Sequence, residues 1–376
     1  MSDIRLLFIT RITRMFAYGF LSVSLALYLT TLGLSEFVVG LLFSLTLAGD
    51  AAISLYLTTR ADRFGRRRTL MVGSALMLFA GVSFALTREP LLLIVAGIIG
   101  VISPSGKEIG PFLSVEQAAL TQLIPSKRRT QLFAWYNLAG ALATACGALI
   151  GGQVVQALRN AGVDEADSYR ALVIGYALLG IVLAILFSRT SHGIETTTAA
   201  PTGALGLGAS RNVVLGLSAL FALDAFAGGF VIDSFLAFWL KERYGLAPGT
   251  LGAVFFATNL LAGFSALLAA PLARKVGLIN TMVWTHIPSN ILLILVPLAP
   301  SLPLAVALLL ARFSISQMDV PTRQSYTMAV VRPEERSAAG GVTAIARSVG
   351  AALSPVLAGP MLGTTALLSL PFFLAG

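Results

Sequence analysis

The stretch "LTTRADRFGRRRTLMVGSALML", Leu57 to Leu78, sets five arginines, Arg60, Arg63, Arg66, Arg67 and Arg68, in a short hinge between two apolar runs. The same chain of 376 residues is 56% hydrophobic and only 11% charged. Its mean hydropathy is +0.86. A soluble protein of this length would need far more polar surface, so the composition is that of a multi-span membrane protein. The formal net charge of +9 would suit a nucleic-acid binder. That class is rejected because the basic residues lie in short breaks between lipid-length runs, where the positive-inside rule accounts for them.

Working outward from the hinge, apolar runs fall near 6–32, 37–59, 69–87, 91–124, 130–157, 169–188, 211–240, 247–271, 279–298, 302–331, 336–360 and 363–376. Most of the twelve can cross roughly 30 Å of hydrocarbon as helix. The last is short, which predicts a truncated chain or a partly represented final helix. Open backbone is not tolerated in lipid, and the runs lack the alternation of a barrel, so the spans are helical. With the N-terminus in the cytoplasm, the inner breaks hold Arg60 to Arg68, Lys127 with Arg128 and Arg129, Arg189 and Arg211, Arg274 with Lys275, and Arg332 with Arg336. The outer breaks, such as "KERYG" at 241–245 and "APSLP" at 299–303, carry less positive excess. Both termini are then cytoplasmic if the twelfth run is complete. The Thr/Ala/Gly-rich break at 189–210 divides two halves, 1–188 and 211–376.

The halves repeat. A shift of 212 carries Gly33, Gly40 and Gly65 onto Gly245, Gly252 and Gly277, and "ADRFGRRRT" onto "ARKVGLINT". Later the shift becomes 207 and carries Gly152 onto Gly359. The slip of five implies a shorter connection in the second half. An even number of spans per half makes this a parallel duplication.

At this point the chain resembles the major facilitator superfamily over essentially its whole length. That family carries Gly-x-Leu-Ala-Asp-Arg-x-Gly-Arg-Lys between its second and third helices. Asp62, Arg63, Gly65, Arg66, Arg67 and Leu70 match, while Thr58 and Arg60 replace glycine and leucine. The resemblance implies a twelve-helix fold of two pseudo-symmetric six-helix bundles and a secondary transporter working by alternating access. It also implies that Asp62 faces the start of the eleventh span, near Glu335 to Gly340. The free N–H groups there would attract its carboxylate and latch the inner side. "GALATACGALIGG", Gly140 to Gly152, resembles the family's antiporter pattern at Gly147, Gly151 and Gly152, with Ala148 in place of proline. Generic small-residue packing is the competing reading.

Ionisable residues inside spans are costly and tend to face cavities. Lys107 and Glu108 lie mid-span in the fourth run, Asp224 in the seventh and Arg347 in the eleventh. Arg14, Asp50, Glu116, Asp319 and Arg323 lie toward the cytoplasm, and Asp233 and Arg312 toward the outside. Pro104, Gly106, Gly110 and Pro111 predict a distorted fourth span, tolerable beside a cavity. Asp319 and Arg323 share a helix face. Alternatively, Arg323 pairs with its repeat mate Glu116. Either pair would suit gating. Arg11 reads as a snorkelling anchor, Trp239 as a membrane-belt residue, Cys146 as a packing residue, and Asn137 as a modest cavity candidate. Asp224, with no adjacent base in sequence, is the first choice as proton carrier, followed by Glu108.

The expected function is therefore proton-coupled export of a small organic molecule, by a monomer in a lipid bilayer such as the bacterial inner membrane. The alternative is an importer or facilitator of a polar or anionic metabolite. His192 and His286 lack metal-ligand spacing, and there is no nucleophile elbow or phosphate-binding glycine loop. No enzyme, cofactor or nucleic-acid partner is expected.

Overall fold

The structure, a computed structural model, describes residues 2–108, 110–195, 209–332 and 335–376. Within helices, the side chains of Asp62 and of residues 126–131 and 336–338 are outside the described set. The expected inner-loop cations Lys127, Arg128, Arg129 and Arg336 therefore fall outside it.

All regular structure among the described residues is helical, in sixteen α-helices and two short 3-10 turns, His192–Ile194 and Val296–Leu298. The first half holds α1 (Asp3–Thr31), α2 (Glu36–Phe64), α3 (Arg66–Leu86), α4 (Pro90–Ile99), α5 (Phe112–Leu123), α6 (Ser126–Asn160) and α7 (Glu165–Ser188). The second holds α8 (Arg211–Gly229), α9 (Asp233–Tyr244), α10 (Pro248–Val276), α11 (Leu278–Leu295), α12 (Leu302–Phe313), α13 (Asp319–Val330), α14 (Arg336–Leu353), α15 (Pro355–Leu362) and α16 (Leu370–Ala375). Local sequence sets the ends. The Ser35 hydroxyl accepts from the Val38 N–H at 3.4 Å, and the Asp164 carboxylate accepts from Ala166 N–H at 3.0 Å. Gly65 and Gly277, with φ of 101° and 89°, make the tight joints after α2 and α10.

Nine segments among the described residues are long and apolar enough to cross a membrane. Of the twelve expected runs, three fall short of that length as single helices. The fourth and tenth runs each form two shorter helices, α4 with α5 and α12 with α13, and the twelfth carries only the six residues of α16. The internal repeat appears in the element bounds. A shift of 212 maps α2 onto α10, the start of α4 onto that of α12, and α3 onto Leu278–Leu298. A shift of 207 maps α5 onto α13 at both ends. The slip of five therefore sits in the interruption of the fourth run, which spans 100–111 against 314–318 in the tenth.

The freed backbone of the fourth run finds partners, as it must at this depth. The Tyr176 hydroxyl donates to Val101 O at 2.8 Å, and Ser103 Oγ to Lys107 O at 2.9 Å. Ser234 donates to Pro104 O through N–H at 3.2 Å and hydroxyl at 2.6 Å. Gly106 and Gly110 supply φ of 64° and 79° in the same segment.

Where helices cross closely, glycines allow it. A Cβ on Gly252 would lie 3.0 Å from the Gly152 Cα, and one on Gly359 would lie 3.1 Å from the Gly40 Cα. The two contacts, α6 with α10 and α15 with α2, are each other's repeat counterparts. Large apolar side chains such as Leu86, Leu223 and Trp284 point outward, as lipid requires. Trp239, expected in the belt, is instead fully buried, with its ring 4.6 Å from that of Phe372 at a 54° tilt. Cys146, expected to pack, is exposed.

Candidate functional site

Two clusters of charge lie inside the bundle, one in each half. In the first half, Arg14 is fully buried. Its Nε donates to Glu108 Oε1 at 2.8 Å, and its two Nη atoms donate to Glu116 at 2.9 and 2.7 Å. Glu116 also accepts from the Thr10 hydroxyl at 2.9 Å and from the Tyr136 hydroxyl. Arg11, predicted to snorkel, is instead buried at 6% exposure and pairs with Glu108. Its Nε donates to the Tyr136 carbonyl at 3.2 Å, and its guanidinium lies 4.6 Å from that ring's centroid. A buried acid supplies what the membrane interface would have supplied. Two arginines and two glutamates thus neutralise each other in a bonded, largely buried cluster, as buried charge demands.

In the second half, Asp224 Oδ2 accepts from Arg323 and from Arg347, each at 2.9 Å. Arg323 also donates to Asp319 at 3.1 Å, as the i,i+4 spacing predicted. The pairing of Arg323 with Glu116 does not occur, because Glu116 is taken by Arg14. Asp224 stands alone only in sequence; in space two guanidinium groups hold it. His286 was passed over in the sequence for want of a metal-ligand partner. Its Nε2 lies 3.5 Å from Asp224 Oδ1, and its Nδ1 lies 3.9 Å from Asp319 Oδ2. Its signal was available: it is an ionisable side chain midway along an apolar run.

The clusters are repeat mates with signs exchanged. Glu116 maps onto Arg323 at a shift of 207. Arg14 maps onto Asp224 at 210, since Gly19 packs on Thr144 as Gly229 packs on Ala351 and Ser354. The 230–232 joint between α8 and α9 restores 212 beyond it.

Their exposure separates them. The first cluster reaches a cavity of about 310 Å³ only through Glu108, whereas the second lines it with Asp224, Asp319, Arg323 and Arg347. Asp50, Lys107 and Glu108 line it from the first half; Asp224, His286, Arg312, Asp319, Arg323 and Arg347 line it from the second. Asp50 accepts from the Gly110 N–H at 2.7 Å and the Ser54 hydroxyl at 3.2 Å, and among the described residues it has no cationic partner. Asp233, behind the wall, faces the charges of Lys107 and Arg312. Asn137 lies exposed outside the cavity.

At the hinge, the carboxylate of Glu195 accepts from the N–H groups of Arg66 and Arg67, at 2.7 and 3.1 Å. An acid from the far end of the half therefore caps α3, whose N-terminus attracts negative charge. Arg66 reaches Gln122 at 2.9 Å and the Ile194 carbonyl at 3.1 Å, and Arg67 bonds the Ser188 carbonyl. The hinge arginines thus tie the start of the 189–210 break to the first half, beyond anchoring a loop. Arg63 is exposed. Glu335 directs its carboxylate to the Ala209 and Ser210 N–H groups at 3.0 and 2.9 Å. The expected latch partner Asp62 has its side chain outside the described set.

The fold recurs in known proteins. The profile described as Major Facilitator Superfamily matches residues 7–355. The uncharacterized membrane protein YJR124C of Saccharomyces cerevisiae is 30% identical over 390 aligned positions, covering 95% of this chain and 87% of its own. Among solved structures, the fold is similar to the nucleoside transporter NupG, with a TM-score of 0.76 at 14% identity, over 100% of this chain and 96% of that one. A bacterial homolog of the human lysosomal transporter Spinster, in an inward-facing and unoccupied conformation, gives 0.73 at 19% identity, over 95% and 81%. A D-xylose-proton symporter gives 0.71 at 16%, over 99% and 94%. The chain belongs to the Major Facilitator Superfamily and is a secondary transporter, not an enzyme.

Proposed function

We propose that the protein moves a small organic molecule across its membrane by proton-coupled alternating access, as a monomer. Two six-helix bundles, residues 1–188 and 211–376, would rock about the central cavity. The observation that carries the reading is a cavity carboxylate without a counter-ion. Asp50 can take a proton without breaking an ion pair, whereas a proton on Asp224 would strand Arg323 and Arg347. Asp50 therefore replaces Asp224 as the first choice of proton carrier, with His286 second. Glu108 is occupied by Arg11 and Arg14.

Export is the direction suggested by Gly147, Gly151 and Gly152. Close packing accounts for the same glycines: Gly147 and Gly151 lie on the α1 backbone and Gly152 on that of α10. A second reading, uptake or facilitated passage of a polar or anionic metabolite, is favoured by Lys107, Arg312 and Arg347 at the cavity wall. The bacterial inner membrane suits the charge asymmetry, and the yeast relative extends the proposal to eukaryotic membranes.

The test is flux into and out of proteoliposomes under an imposed proton gradient, with a mixture of metabolites. Uphill movement of at least one solute in the wild type is expected. Asp50→Asn should lose that gradient-driven accumulation while retaining solute exchange. Flux that proceeds without proton movement removes the coupling, and unchanged accumulation by Asp50→Asn removes Asp50.

A further inference from the structure

We propose that the transported molecule is a small monocarboxylate whose anionic group binds at Lys107 and Arg312, and that it shares the cavity with a proton on Asp50. This rests on the transport reading above, in its second form of passage of an anionic metabolite, and names its substrate class.

The first argument is unused donors. Arg312 Nε and Ser316 Oγ, one helical turn apart, are buried without a hydrogen-bond partner, and both residues line the cavity. Among the described residues, no carboxylate pairs with Lys107 or Arg312 within 4.0 Å. Buried donors without acceptors are costly, and a guanidinium edge matches a carboxylate. An ammonium, a guanidinium and a hydroxyl around one space form a receptor for an anion.

The second argument is charge. Arg11 and Arg14 balance Glu108 and Glu116, and Arg323 and Arg347 balance Asp224 and Asp319. Among the lysines, arginines and carboxylates at the cavity, what remains is Lys107 and Arg312 against Asp233 and Asp50. Asp50 faces Glu108 of the interruption, Tyr18 of α1 and Tyr176 of α7, shares the cavity lining with Lys107 and Arg347, and among the described residues pairs with no cation. A proton on Asp50 leaves one positive charge in excess at Lys107 and Arg312. One carboxylate restores neutrality. An uncompensated charge at this depth is expensive, so proton and anion each favour the other's binding, by the same factor in both directions. A single compensating charge selects a monocarboxylate over a phosphate dianion. The cavity volume of about 310 Å³ suits a small one. Ligand and proton then cross in the same direction.

The test takes the full chain in detergent, with benzoate and pyruvate as probes and benzamide as the neutral control. Calorimetry in buffers of differing ionisation enthalpy reads affinity and protons exchanged. At least one carboxylate should bind about tenfold or more tighter than benzamide, a difference of about 1.4 kcal/mol. Close to one proton should be taken up per molecule bound, and affinity should fall as pH rises. Asp50→Asn should bind the same probe with no proton uptake. Arg312→Gln should weaken it about tenfold or more, and Arg312→Lys, which keeps charge without the fork, less so. Unfolding midpoints identify any misfolded variant, in which case Arg312→Lys carries the comparison. Binding without proton uptake, binding indifferent to both Arg312 variants, or no carboxylate preferred over benzamide overturns the inference. If proton-driven flux of uncharged solutes persists beside that result, the transport reading survives. Loss of all proton-driven flux removes that reading as well.

Discussion

Arg14 and Arg347 are both arginines bound to intramembrane carboxylates, yet their surroundings give them opposite consequences. The Arg14 side chain and its partner Glu116 are each 0% exposed, whereas the Arg347 side chain is 36% exposed at the cavity. Removing one partner of a sealed pair leaves a buried charge unpaired, at about 3–5 kcal/mol. Arg14→Met should therefore lower the thermal unfolding midpoint in detergent sharply, and adding Glu116→Gln should recover part of the loss. Arg347→Gln should barely move the midpoint, since pairs open to water contribute about 0–1 kcal/mol. It should instead impair transport. Equal destabilisation by the two single variants would contradict the division into a structural and a working cluster. At this scale the sequence located nearly every charge but few of the partners. Asp319 and Arg323 were legible because four residues of one helix fix their separation. Glu116 with Arg323 failed for a geometric reason. Repeat mates occupy equivalent places in separate halves and touch only near the symmetry axis. Ser22 and Ser234, mates at a shift of 212, do touch there, through the Ser234 hydroxyl and the Ser22 carbonyl at 2.5 Å.

Among the elements, the broken fourth run joins sequence to chemistry. Pro104, Gly106, Gly110 and Pro111 announced the break, because proline removes a donor and glycine admits positive φ. The partners of the break were not legible: Tyr176, Ser234 and Asp50 come from three other runs. The break in the tenth run went unread, since "SISQM" contains neither glycine nor proline. Gly110 is the position where backbone and function meet. Its φ is 79°, and its N–H donates to Asp50. Gly110→Ala places a side chain in a left-handed conformation, at about 1–3 kcal/mol, with its Cβ 3.0 Å from the Phe112 ring. The segment must shift and the bond to Asp50 weaken. Gradient-driven uptake should fall while the unfolding midpoint drops only modestly. A variant with normal driven flux would separate the break from coupling.

Two glycine crossings between the halves, Gly40 with Gly359 and Gly152 with Gly252, lie at helix ends that the charge pattern assigns to the outer face. The twofold repeat makes them one device used twice, legible in sequence as glycines at constant shifts but not as contacts, because a shift says which residues are equivalent and not which ones meet. In the proposed orientation these crossings bring the two halves together on the outer side. Alternating access requires both to open. A leucine at Gly40 and another at Gly252 would meet main chain on the facing helix, with a Cβ on Gly252 already 2.7 Å from the Ala148 carbonyl. Main chain cannot rotate out of the way as a side chain can. Overpacking of this kind costs about 1–3 kcal/mol, and at 1.4 kcal/mol per decade the outward-closed population should fall roughly tenfold. Spin labels at Asn160 and Glu242, which flank the outer groove between α6 and α9, should then report longer distances in Gly40→Leu/Gly252→Leu than in the wild type. Flux should drop in parallel, because a carrier that cannot close outside cannot present its cavity inside. Unchanged distances with lost flux would mean that the glycines serve folding instead of the transport cycle.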